Sequence, residues 1–214
     1  MEQFEHRRDR YEHFCRFANP TVNINLALDL PDFRPWCKER ALPPFHVFLY
    51  CLLTSVRGVD NFLYRIHEGQ VIKIDRFYAS YTVINEDNNF NYARFTMSDV
   101  LNEFVERSVE AGKLARDSRA LINHGGDLTA RERKDNIFTT CMPWLDMRAI
   151  EHPIYNYQEA DIPLVAWGKF SVPAGGRMTV PIAVQAHHGF VDGYHIHLLM
   201  QALTARVEAL INTP

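Results

Sequence analysis

Residues 185–193 read Gln-Ala-His187-His188-Gly-Phe-Val-Asp192-Gly193: two imidazoles followed four residues later by a carboxylate and a glycine. Among 214 residues with 10 histidines, adjacent histidines alone carry little information. With Asp192 and Gly193 at fixed offsets, the pattern arises by chance in roughly one chain in a thousand. Histidine is the side chain whose proton exchange falls near neutrality, so the chemistry on offer is general-base catalysis. Met178, Val180, Ile182, Val184, Ala186 and His188 share one face of a strand, apolar apart from His188. On that phase His188 points into a dry environment. Desolvation would then keep its ring neutral and ready to accept a proton, while His187 points the other way. Pro181 marks a bulge or edge position that can shift the phase. The competing reading is a hydrogen-bonded core histidine near a turn.

The elements that must hold this segment follow from periodicity. The period of Ile196, Leu199, Met200, Leu203, Val207 and Leu210 predicts a C-terminal helix directly after Gly193. Residues 3–17, with Phe4, Tyr11, Phe14 and Phe17 among charges, predict an amphipathic helix ending at Asn19-Pro20. Val22, Ile24, Leu26, Leu28 and Leu30 alternate as a strand with one buried face. The apolar run Phe45–Val56, opened by Pro43-Pro44, predicts a buried helix. From Phe62 to Phe95, short segments rich in Val, Ile, Tyr and Phe suggest an antiparallel meander. Ser98 is expected to cap a helix with Val100, Leu101, Phe104, Val105 and Val109 on one side. His124–Asp127 and the charged run Arg131–Asp135 read as loop. Strands are expected at 136–142, 163–170 and 177–188, the last two joined through Pro173–Gly176 as a hairpin. Strands pairing with neighbours under helices on one side give an α+β two-layer sandwich with a mixed or antiparallel sheet, in one domain over 1–214.

Composition narrows the partners. The chain carries 23 basic and 26 acidic side chains and is 47% hydrophobic, which supports a full core and excludes disorder. No basic stripe suggests a nucleic-acid partner. No stretch approaches the ~20 apolar residues of a membrane span, and the first residues lack a signal peptide's apolar core. A cytoplasmic protein is expected, with small molecules or its own copies as partners. Cys15, Cys37, Cys51 and Cys141 form no Cys-x-x-Cys pair and are expected as reduced thiols.

His187-His188-x-x-x-Asp192-Gly193 resembles the His-His-x-x-x-Asp-Gly signature of the chloramphenicol acetyltransferase family, where Pro181 and Val184-Gln185 also recur ahead of it. Thr140-Cys-Met-Pro143-Trp144 is similar to the family's Ser-x-x-Pro-Trp, and Arg10-Tyr-Glu12-His13-Phe14 is a third match. The resemblance covers nearly the whole chain. It implies the CoA-dependent acyltransferase fold and a homotrimer with active sites between subunits, taking acetyl-CoA and a hydroxyl acceptor, chloramphenicol first. It implies His188 as general base in a ternary complex without a covalent intermediate, and Thr140 as the hydroxyl stabilising the tetrahedral oxyanion. Asp192 would pair with Arg10 to hold the site's architecture. Phe17 and Phe90 match acceptor-pocket positions, and Trp144 and Lys169 match positions near the coenzyme. The departures are specific. Ala166 occupies the place of a family threonine that orders water at the oxyanion, Tyr92 and His152 replace smaller or aliphatic pocket residues, and Phe17 stands where a tyrosine is common.

Other readings predict different observations. Dihydrolipoamide acyltransferase cores share a His-x-x-x-Asp-Gly segment but carry Asp-His-Arg where this chain has His187-His188-Gly189. A Cys141-His188-Asp192 arrangement would form an acyl-enzyme. A metal cluster from His187, His188, His195, His197 and Asp192 is opposed by spacing, since residues two apart on a helix point about 200° apart; no metal is expected. A catalytically idle coenzyme- or ligand-binding homologue would bind without turnover.

Overall fold

The computed structural model describes residues 2–123, 128–154 and 160–212, with side chains from Phe4 onward. The expected segment at 124–127 lies outside them. Two short helices, α1 (Glu2–Glu5) and α2 (Arg8–Phe14), open the chain in place of the one helix expected over 3–17. Strand β1 (Thr21–Pro31) follows, then α3 (Arg34–Glu39) and α4 (Pro44–Arg57). Pro43 and Pro44 suit the start of α4, where a missing N–H costs nothing, and its residues Val47–Leu53 are buried throughout.

The region from 62 to 95 is two hairpins rather than one meander. After a 3-10 turn (Asp60–Leu63), β2 (Tyr64–His67) pairs with β3 (Gln70–Lys73) as a separate two-stranded sheet. Strands β4 (Tyr78–Ile84) and β5 (Phe90–Thr96) form the second hairpin and join the main sheet. That sheet continues with β6 (Asn136–Cys141), β7 (Leu164–Trp167) and β8 (Arg177–His187), in the order β1-β8-β7-β6-β4-β5. The β4–β6 and β6–β7 pairs are parallel and the rest antiparallel, so the sheet is mixed. Gly175 and Gly176, both with positive φ, form the turn before β8, as the hairpin signal at 173–176 predicts.

Helices α4, α5 (Leu101–Asp117) and α7 (Gly193–Ile211) pack together over one face of this sheet, giving the expected two layers. In β8 the even positions Met178 to Ala186 face that helical layer and are essentially inaccessible. Three local expectations are corrected. The N-cap of α5 is Val100, while the Ser98 hydroxyl accepts from the Val100 N–H at 3.2 Å and donates to Glu103. Of the expected face of α5, Leu101, Phe104 and Val105 do turn inward, but the buried stripe continues through Ser108, Ala111 and Ala115, and Val100 and Val109 are exposed. Residues Ala130–Lys134 form α6, because Thr129 and Glu132 make a reciprocal capping box and Lys134 is drawn inward to Asp161 at 2.9 Å. Among the described residues, no helix is long and apolar enough to cross a membrane.

Candidate active site

Strand β8 ends at His187, and the chain turns back on itself before α7. The His187 carbonyl accepts from the N–H groups of Phe190 and Val191, both at 2.9 Å, and the His188 N–H donates to the Pro20 carbonyl at 2.7 Å. This turn ends the strand's alternation one residue before the expected phase would apply. His187, not His188, therefore occupies the dry environment. Its ring packs against the stacked pair Tyr11 and Phe190 and is 1% exposed. Its Nδ1 accepts from the Gly189 N–H at 3.1 Å, and burial with the nearby His188 pushes its pKa down to about 4. Gly189 is required by close approach, since a Cβ there would lie 2.8 Å from the Tyr11 backbone and 3.0 Å from the His187 ring.

His188 is partly exposed and stacks on Phe14, with ring centroids 4.0 Å apart at 23°. Its Nδ1 lies 3.0 Å from the Val191 carbonyl oxygen. A carbonyl can only accept, so this contact assigns the proton to Nδ1 and leaves the Nε2 lone pair free. The turn thus orients a proton acceptor outside the dry pocket that holds His187.

The arginine that holds this turn is Arg7. It donates to Asp192 Oδ2 at 2.9 Å and to the carbonyls of Gly189 and His188 at 3.3 and 3.4 Å. Arg10 bonds instead to its neighbour Asp9 at 2.7 Å and is exposed, so the expected Arg10–Asp192 pair is not formed. The cause is position on α2. Arg7 at its N-cap, Tyr11 and Phe14 recur at four- and three-residue spacing on the side facing the His187–Asp192 turn, with Phe4 of α1 beside them, while Arg10 falls off that side. That spacing is legible in the sequence and would have singled out Arg7. Asp192 also caps α7 by accepting from the Tyr194 N–H at 3.0 Å, and its carboxylate meets His195 Nδ1 at 2.8 Å. Burial opposes its charge, but the Arg7 hydrogen bond, His195 and the backbone contact hold its carboxyl below the usual range.

The remaining candidates lie elsewhere on the chain. Thr140 sits in β6 on the sheet face away from the main helices, beside Ala166 of β7, which pairs with Ala183 of β8. Its hydroxyl lies 2.5 Å from that of Thr82 on β4. Phe90 and Tyr92 follow on the edge strand β5, in edge-to-face contact, with Tyr92 also near Phe138. Ala166 is fully buried with Met147 and Ala183, against Met142 and Ile150. Three amide side chains strap the segment over these residues to the sheet: Asn23 to the Ile150 carbonyl, Asn25 to its N–H, and Gln185 to both backbone groups of His152. His152 thus lies beside Gln185 with its Nε2 buried and without a partner among the described residues, and burial lowers its pKa. Phe17 is exposed near Phe14, on the His188 side. Trp144 and Lys169 are both exposed on neighbouring segments joined by the Lys169 N–H to the Leu145 carbonyl, at 2.9 Å.

From Thr140, the line to His188 crosses two strand spacings, four residues along β8 and one into the turn, which is roughly 20 Å. Within one chain the two are not brought together. Cys141, on the opposite face from Thr140, packs against the core, and burial pushes its thiol up to about 12. It is no ready nucleophile.

Sequence and fold are both similar to those of known proteins. A family model described as chloramphenicol acetyltransferase matches residues 2–204. The chain is 22% identical to a chloramphenicol acetyltransferase of Bacillus pumilus, over 94% of this chain and 90% of that protein. It is 24% identical to one of Staphylococcus aureus, over 90% and 88%. A solved chloramphenicol acetyltransferase superposes with a TM-score of 0.77 at 25% identity, covering 94% of each chain. The dihydrolipoamide acetyltransferase of Azotobacter vinelandii shares the fold, with a TM-score of 0.66 at 14% identity over 97% of this chain and 88% of that one.

Proposed function

The chain belongs to the chloramphenicol acetyltransferase family and is an acetyltransferase, and from that premise we propose that it moves acetyl from acetyl-CoA to a hydroxyl of chloramphenicol, inactivating the antibiotic in the cytoplasm. In this reading His188 Nε2 takes the acceptor's hydroxyl proton as that oxygen attacks the thioester carbonyl. Thr140 donates to the tetrahedral oxyanion, which collapses to expel the CoA thiolate; the thiolate then recovers the proton from His188. No acyl-enzyme forms. The observation that carries the reading is the His188 geometry, with Nδ1–H held by the Val191 carbonyl and Nε2 left open. Arg7 and Asp192 hold the turn and act on no substrate atom.

The roughly 20 Å between Thr140 and His188 supports a site shared between copies, since a second subunit must bring its Thr140 to the first subunit's His188. A homotrimer is the proposed assembly. Phe17 would line the acceptor pocket on one side and Phe90, Tyr92, His152 and the strap over Ala166 on the other. Exposed Trp144 and Lys169 would flank the coenzyme.

The test follows thiol released from acetyl-CoA with and without chloramphenicol, beside His188→Ala. Chloramphenicol-dependent release that vanishes in the variant, with assembly unchanged, is expected. Release that persists in His188→Ala would refute the base, and coenzyme binding without release would favour an idle binder or another hydroxyl acceptor.

A further inference from the structure

Two threonines stand side by side in β6 with different fates. Thr139 is buried and donates to the Ser80 carbonyl at 2.9 Å, so its hydroxyl is spent on the backbone. Thr140, on the other face, makes no such bond. Among the described residues its hydroxyl meets only that of Thr82, at 2.5 Å, and Thr82 has no other side-chain partner. The parallel register of β4 and β6, with Tyr81 opposite Thr139, places the two hydroxyls side by side. On the other side of Thr140 the paired residue is Ala166, whose side chain has no polar atom.

Between two hydroxyls, one proton is committed and one is free. If Thr140 donated to Thr82, it would have no proton left for an oxyanion. If Thr82 donates, Thr140 is polarised and its own proton is free to point out of the sheet. We propose that Thr82 is a positioning residue for the transfer reaction: its hydroxyl donates to Thr140 Oγ1 and so orients and strengthens the Thr140 hydroxyl as the oxyanion donor. This rests on the proposed role of Thr140. It also gives the site a second hydroxyl on the β4 side of Thr140, where the β7 side offers only Ala166. No bond is made or broken at Thr82; its proton stays on its oxygen while Thr140's is shared with the developing oxyanion.

The experiment compares steady-state rates of Thr82→Val, Thr82→Ser, Thr140→Val and the Thr82→Val/Thr140→Val double variant, each checked by thermal unfolding. Valine replaces the hydroxyl with a methyl at nearly constant shape. Thr82→Val is expected to lower kcat roughly 5- to 10-fold, the worth of one hydrogen bond to a donor group. Both KM values should stay within about twofold, because the contact matters only where charge develops. Thr82→Ser should recover most of the rate, and in the Thr140→Val background Thr82→Val should cost nothing more. Unchanged kcat in Thr82→Val beside a large loss in Thr140→Val would overturn the positioning role and leave the oxyanion donor standing. Additive losses, or a loss confined to KM, would make Thr82 an independent wall of the pocket and also overturn it. Full activity in Thr140→Val would remove the oxyanion role on which the proposal rests.

Discussion

At the scale of single residues, the two adjacent histidines have opposite surroundings. His187 is sealed against aromatic rings, where burial disfavours its charge, while His188 is partly exposed with one nitrogen fixed and one open. His46, partly buried beside the Ser108 hydroxyl at 2.7 Å, resembles His187: desolvation takes both down to about 4. An unfolded histidine titrates near 6.5, so the unfolded chain binds protons first as pH falls. The stability these two neutral rings confer is complete above about 6.5 and drains between there and about 4. Melting temperatures followed from about pH 7.5 to 4.5 are expected to fall across that window. His187→Phe should flatten the slope even if it shifts the midpoint; an unchanged slope would show that His187 titrates normally. The arginines give a second contrast. Arg7→Ala leaves Asp192 partly buried without its guanidinium and loosens the His188 turn, so it should lower both kcat and melting temperature. Arg10→Ala should alter neither. The reverse ordering in a paired assay would restore Arg10 to the site.

At the scale of elements, strong periodicity survives and weak local signals do not. Helices α4 and α7 and strands β1 and β8 lie where apolar spacing puts them, because each buries one continuous face against the same core. The α5 stripe keeps Phe104 and Val105 but then runs through Ser108, Ala111 and Ala115 rather than Val109, because small residues let the helix approach the sheet. Gly112 shows how close that approach is: a Cβ there would lie 2.3 Å from the Tyr81 hydroxyl, which itself donates to the Ser108 carbonyl at 2.5 Å. In an ordinary helix Gly→Ala gains up to about 1 kcal/mol. Here Gly112→Ala is expected to cost about 1–3 kcal/mol by overpacking, measured by denaturant unfolding. Combining it with Tyr81→Phe, which removes the clashing oxygen, should relieve most of that loss. A stabilised Gly112→Ala would mean that β4 and α5 are further apart. Helix α6 and the Ser98 turn depend on particular side-chain partners, Glu132, Asp161 and Glu103, that charge patterning alone does not select.

At the scale of the whole molecule, the separation of Thr140 from His188 makes a prediction about assembly. If each site takes its histidine from one subunit and its threonine from a neighbour, two crippled variants can repair each other. His188→Ala and Thr140→Val, each weak alone, should regain about a quarter of full activity when co-refolded in equal amounts, since that share of interfaces pairs two intact residues. Subunits mixed after assembly should show no gain until they exchange. No recovery in co-refolded mixtures would place each site within one chain. The sequence by itself determined the two layers, the long elements and the His187-His188…Asp192-Gly193 segment between strand and helix, because these follow from spacing along the backbone. It also carried the Phe4-Arg7-Tyr11-Phe14 stripe. Only the tertiary structure decided which histidine is dry, which arginine reaches Asp192 and which hydroxyl faces Thr140. Those outcomes depend on where a strand stops, how a turn redirects the next side chain and which strands lie in register. Each is fixed by contacts between residues far apart in the chain, such as Arg7 with Asp192 and Thr82 with Thr140.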